Sequence, residues 1–110
     1  MAILNAQIPV VQAVVDRLAA VYQPHRMILF GSRARGESGP DSDIDLLIIK
    51  ETDEPYLIRQ DSVRRAAQGS HPRVPFDPIV LTLAELQARL DVGDGFLAAI
   101  LREGKAVYDR

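Results

Sequence analysis

The sequence predicts an α/β (α+β) protein, a small sheet of three or four strands flanked by helices. Three observations point there. Short apolar runs of strand length alternate with segments whose apolar residues recur at helical spacing. Gly, Pro and Asp residues suited to turns separate the two kinds of segment. The 110 residues, 47% hydrophobic and 25% charged, suffice for one core but not for two, so residues 1–110 read as one domain.

The elements follow in order. Across residues 8–22, Val11, Val14, Val15, Leu18 and Val21 fall at helical spacing, and Pro9 suits a first turn, where its missing N–H is not needed. Pro24 closes this helix. Residues 27–30 form a short apolar strand that runs into Gly31-Ser32. Ser32 is a good N-cap residue, so a short helix is expected through Arg33, Ala34 and Arg35, ended by Gly36 or by Gly39-Pro40. Residues 44–50 are apolar on both faces, as a central strand requires. Asp53-Glu54-Pro55 opens a helix to about residue 68, with Gly69 as its stop. Residues 74–82 form a third strand; Pro75 and Pro78 each lack a ladder donor and place it at an edge or an irregular point. Thr82 caps a helix through Leu90, a last helix over residues 94–102 stops at Gly104, and Ala106, Val107 and Tyr108 add a short strand. Leu57, Ile58, Phe96, Leu97, Ile100 and Leu101 are expected in the core, with a fraction facing a partner chain.

Composition excludes several functions. A net charge of −2 offers no broad basic face for duplex nucleic acid or an anionic membrane. There is no cysteine, hence no disulfide, thiolate metal site or cysteine nucleophile. No signal peptide or apolar run long enough to span a membrane is seen, so a cytoplasmic location is expected.

The chemistry concentrates in "LFGSRARGESGPDSDIDLLIIK", residues 29–50. Asp43 and Asp45 open the central strand, and residues two apart on a strand share a face, about 7 Å apart along the chain. Two carboxylates there repel one another, and neither is easily dehydrated while ionised. A divalent cation relieves both problems, and Mg²⁺ favours a pair of carboxylates with water and substrate phosphate oxygens. An Asp-x-Asp pair alone is a weak signal, since a chain this rich in aspartate holds about one by chance. Its context is stronger. Gly31 stands where a strand turns into a helix, so backbone N–H groups can approach an anion closely, and the helix start with the Ser32 hydroxyl can bind phosphate. Phosphate donors and cation ligands converge, as a nucleoside triphosphate requires.

Gly31-Ser32, ten residues, then Asp43-Ile44-Asp45 resembles the GSX10DXD signature of the DNA polymerase beta-like nucleotidyltransferase superfamily. The run "GSRARGESGPDSDIDLLI" is similar to its minimal nucleotidyltransferase branch, as is the ending "EGKAVYDR". The resemblance implies a nucleotidyltransferase fold with a mixed sheet, Mg²⁺ (or Mn²⁺), and transfer of AMP or another nucleoside monophosphate from ATP or another triphosphate onto a hydroxyl. It implies a third carboxylate on the neighbouring strand. Asp77 is the only acid in the third strand and fits, although Pro78 after it departs from the usual apolar residue. In two-metal transfer, Asp43 and Asp45 would bind the ion on the triphosphate, and Asp77 would share the ion at the acceptor hydroxyl or act as general base. Gly31 and Ser32 would hold a β- or γ-phosphate and Arg33 would neutralise it, while Arg35 is open between an ion pair and a substrate contact.

The remaining polar residues have plainer readings. His25 and His71 lie beside prolines in solvated turns, Arg64-Arg65 form an exposed helix face, and Glu37, Asp41, Asp53 and Glu54 are loop or helix-start charges. The absence of a basic, aromatic-lined groove disfavours RNA. Small relatives of this branch pair with a HEPN-domain protein in toxin–antitoxin modules, which implies an antitoxin that transfers AMP to its partner. Two alternatives stand beside it: an inactive module that neutralises a partner by contact, and the nucleotide-binding subunit of a small-molecule nucleotidyltransferase.

Overall fold

In the computed structural model, residues 9–37 and 39–110 are described. The chain runs α1 (Pro9–Val21), β1 (Arg26–Phe30), α2 (Ser32–Arg35), β2 (Ile44–Ile49), α3 (Tyr56–Ala67), β3 (Phe76–Leu81), α4 (Leu83–Asp91), α5 (Gly95–Glu103) and β4 (Lys105–Asp109). The strands form one sheet in the order β3-β2-β1-β4. β1 is antiparallel to β2 and to β4, whereas β2 and β3 are parallel, so the sheet is mixed.

Strand alternation sorts the core into two layers. Met27, Leu29, Ile44, Leu46, Ile48 and Val80 point to one face and pack with Val11, Val14 and Leu18 of α1 and Val63 and Ala67 of α3. Ile28, Leu47, Ile49 and Leu81 point to the other and pack with Leu86 of α4 and Leu97 and Ile100 of α5. β2 is apolar on both faces because both are covered, and burial of each of its leucines and isoleucines contributes about 1.5–3 kcal/mol. The third strand lies at an edge, where Pro78 can stand opposite Leu46 without breaking a second ladder.

Of the two helix caps the sequence predicts, at Ser32 and Thr82, the one at Thr82 forms. Thr82 forms a reciprocal capping box with Glu85, and Asp94 accepts from the N–H of Leu97. Ser32 does not cap: it is the first helical residue, Gly31 holds the cap position, and no side chain bonds there. α3 starts at Tyr56, not Asp53, because Pro55 is extended and disfavours helical geometry at Glu54 before it. The third strand spans Phe76–Leu81 rather than residues 74–82. The expected helix start at residue 8 lies outside the described residues. Gly104, which follows α5 with extended backbone, has no room for a side chain: a Cβ there would meet the carbonyl oxygens of Ile100 and Leu29 and the side chain of Ile28.

Of the six apolar residues expected in the core, only Leu97 and Ile100 are buried. Leu57 is 79% exposed, Phe96 is 59% exposed, and Ile58 and Leu101 are also exposed. Helical spacing shows that such residues can line one face, but not that anything covers it. His71, expected in a solvated turn, is instead half-buried, its Nδ1 2.8 Å from the Val74 carbonyl and its ring 5.4 Å from Phe76.

Candidate active site

The site is set by strand register. Phe30, the last residue of β1, stands opposite Asp45, and Asp45 stands beside Asp77 in the parallel ladder. Residues in register share a face, so Phe30, Asp45 and Asp77 form a row across one end of the sheet, on the α4–α5 side. Asp43 precedes β2 by one residue and is exposed, close enough to Asp45 for their charges to interact. The four positions come from three strands and meet only in the folded sheet.

Asp45 is the frustrated group. Half-burial pushes its carboxyl above the usual carboxylate range, and the negative charges of Asp77 and Asp43 push it further the same way. The Asp77 carboxyl lies within hydrogen-bonding reach of it, and Arg35 opposes the shift only weakly. Arg35 is exposed and bonds Glu37 through Nε at 2.9 Å, the ion-pair alternative of the two open for it.

Gly31 abuts this carboxylate. It adopts φ 75° and ψ −157°, a conformation closed to side-chain-bearing residues at ordinary cost. A Cβ there would lie 3.2 Å from Asp45 Cγ and overlap its Oδ2. The first helical bonds of α2 run from the N–H groups of Ala34 and Arg35 to the Gly31 carbonyl, so the N–H groups of Ser32 and Arg33 precede the ladder and have no intrahelical acceptor. α2 is a single turn, so its dipole adds little, and any anion there is held by those N–H groups and the Ser32 hydroxyl.

Arg33 is a correction. Expected against phosphate, its side chain is buried, with Nε donating to the Ser42 carbonyl at 2.9 Å and Nη2 to the Pro40 carbonyl at 3.0 Å. It pins the loop that delivers Asp43 to the start of β2. The carbonyls it holds lie seven and nine residues ahead in a turn, and nothing in the residue pattern marked them as its partners.

Among the described residues, no three acidic, His or Cys side chains stand in an arrangement that holds a metal ion as it is. The ligand set Asp43, Asp45 and Asp77 is therefore not preformed as a triad. The donor chemistry still fits a divalent cation. Asp45 and Asp77 are adjacent hard oxygen donors, Asp43 is near, and among the described residues only Arg35 offsets the accumulated negative charge, and weakly. Phe30 and the exposed Phe96 touch edge to face beside Gly31, with ring centroids 6.0 Å apart and planes at 85°. The sequence reading did not place these rings at the site; the one available signal was an aromatic residue immediately before Gly31.

Three comparisons bear on this geometry. A family model described as "Nucleotidyltransferase domain" matches residues 11–96, well over half of the chain. No curated protein sequence gives a significant match. Among solved structures, the crystal structure of an inferred nucleotidyltransferase from Sulfolobus solfataricus superposes with a TM-score of 0.62 at 23% identity, over 94% of this chain and 84% of that one. At that identity the likeness establishes a shared fold.

Proposed function

This chain belongs to the nucleotidyltransferase domain family, and from that membership we propose a Mg²⁺-dependent transfer of AMP from ATP onto a hydroxyl of a partner protein. The observation that carries the reading is the meeting of Gly31, just after β1, with Asp45 of β2 and Asp77 of β3 at one end of a covered sheet.

The acceptor oxygen attacks the α-phosphorus, forming a phosphoester as the bond from that phosphorus to the α–β bridging oxygen breaks. Pyrophosphate leaves with the electron pair. The Asp77 carboxylate takes the hydroxyl proton, and the in-line approach comes from how the two substrates are held. Gly31, having no side chain, lets the triphosphate lie against the backbone N–H groups of Ser32 and Arg33 beside Asp45. Divalent cations, Mg²⁺ or Mn²⁺, would be held by Asp43 and Asp45 on the phosphate side and with the help of Asp77 on the acceptor side, and would supply charge neutralisation at the phosphates and lower the pKa of the acceptor hydroxyl. Arg33 keeps Asp43 in place and needs no phosphate contact.

The acceptor is proposed to be a HEPN-domain toxin, with this chain as its antitoxin. Support comes from a groove of about 560 Å³ at the opposite end of the sheet from Asp45, floored by Ile28, Ile49 and Leu86, flanked by the exposed Leu83 and Leu101 and rimmed by charged residues such as Arg26 and Glu51, a surface suited to docking a protein partner. The contact-only alternative is favoured by one observation, the lack of a preformed three-acid cluster among the described residues. Incubation of substoichiometric protein with the product of the neighbouring gene, ATP and Mg²⁺ separates the two. The expected result is an intact-mass gain of one AMP on excess partner. In Asp77→Asn that gain disappears while ATP binding and the complex persist. Protection that survives Asp77→Asn and needs equimolar protein would leave contact alone as the mechanism.

A further inference from the structure

Between α2 and α5 a pocket of about 210 Å³ opens beside Gly31, lined by Phe30, Arg35, Phe96, Ile100 and Glu103. Ligand sites run to roughly 300–1,000 Å³, so this one holds a ring system and not a whole nucleotide. Its wall is mostly apolar. Its charge does not favour an anion, since Arg35 is already bonded to Glu37 at 2.9 Å and Glu103 adds a negative charge. A phosphate gains little there, whereas a neutral flat ring is well matched.

We infer that this pocket receives the nucleobase of the donor nucleotide, stacked on Phe96. Phe96 is one of three phenylalanines in the chain and stands exposed at the pocket mouth. Its edge-to-face contact with Phe30 uses part of the ring pair and leaves ring surface open. The geometry also fixes the order of groups. Phe30, Asp45 and Asp77 succeed one another across the sheet, with Phe96 of α5 against Phe30 and Gly31 against Asp45. A base at Phe96 thus puts the phosphates at Gly31 and Asp45 and leaves Asp77, at the far end, for the acceptor. An acceptor ring in the same pocket would lie on the wrong side of the phosphates for in-line attack. Because stacking accepts any π-face, discrimination among the bases should be weak.

The inference rests on the triphosphate reading, and the test separates the two. Binding of ATP and of inorganic tripolyphosphate, each with Mg²⁺, is measured by titration calorimetry for the wild type, Phe96→Ala and Phe96→Tyr. Phe96→Ala should weaken ATP about tenfold, within the range of one stacked base, and leave tripolyphosphate unchanged; Phe96→Tyr should restore ATP. Unchanged ATP affinity in Phe96→Ala overturns the base site and spares the triphosphate reading. Equal weakening of both probes also overturns it, since Phe96 would then shape the phosphate site. A wild type that binds neither probe overturns both.

Discussion

Arg59 and Glu85 lie 26 residues apart and meet between α3 and α4; Asp45 and Asp77 lie on neighbouring strands and meet at the sheet end. Both are pairs of ionisable groups brought together by the fold. Every strong donor of Arg59 is used: Nη1 and Nη2 fork onto the two Glu85 oxygens at 2.6 and 2.9 Å, and Nε bonds the Glu54 carbonyl at 2.7 Å. Glu85 also accepts from the Thr82 N–H at 2.9 Å. The Arg59 hydrogen bonds hold the Glu85 carboxyl down at about 2, from an ordinary 4.5. Asp45 is pushed the opposite way, by burial and by two like charges. A compensated pair holds helices together. An uncompensated one destabilises the empty protein and is retained where a ligand supplies the missing charge.

Breaking the compensated pair should have the largest effect on stability. Glu85→Ala leaves Arg59, 6% exposed, without its counterion and removes half of the capping box. Since Glu85 is itself 42% exposed and partly screened, the cost should be about 2–3 kcal/mol in urea unfolding. The pH dependence follows from the sign of the shift. A carboxyl held low in the folded state contributes stability that is full above its unfolded value and lost as pH falls from about 4.5 towards 2. The gap between wild type and Glu85→Gln should therefore be widest near neutrality and close across that acid range.

Gly31→Ala comes next and acts on the uncompensated pair. The positive φ alone costs about 1–3 kcal/mol, and the new Cβ displaces the Asp45 carboxylate. Melting temperature should fall, and affinity for ATP with Mg²⁺ should fall with it. A substitution that lowered stability but left ATP affinity intact would separate Gly31 from the phosphate site.

The contrast between the two regions also explains what could be read before folding. Asp43 and Asp45 were legible because residue type and a spacing of two on an apolar strand already imply shared charge. Asp77 was legible as the only acid in a strand that two prolines place at an edge. The Arg59–Glu85 fork was not, because nothing local marks a partner 26 residues away. Arg33 misled for a related reason: an arginine beside a phosphate-type turn and an arginine pinning the next loop look alike in sequence. Ser32 met the residue preference for a cap but not the geometry, since Gly31 with its unusual dihedrals takes the cap position and the helix starts one residue earlier, at Ser32 itself. Leu57 and Phe96 carry the spacing of core residues, and only the fold shows that no element among the described residues covers them.

The smallest expected effect on the empty protein is also the most direct test. Asp45→Asn removes the charge that burial, Asp77 and Asp43 all oppose. A group with a raised folded pKa favours the folded state below its ordinary range and penalises it as pH rises through the raised value, so the penalty is in force at neutrality. Melting temperature at pH 7 should therefore rise modestly. Mg²⁺ with ATP should raise the melting temperature of the wild type through linkage and leave Asp45→Asn almost unmoved. An Asp45→Asn protein that melts lower than the wild type, or that still gains the full shift with Mg²⁺ and ATP, would contradict the placing of the catalytic cation and triphosphate at this end of the sheet.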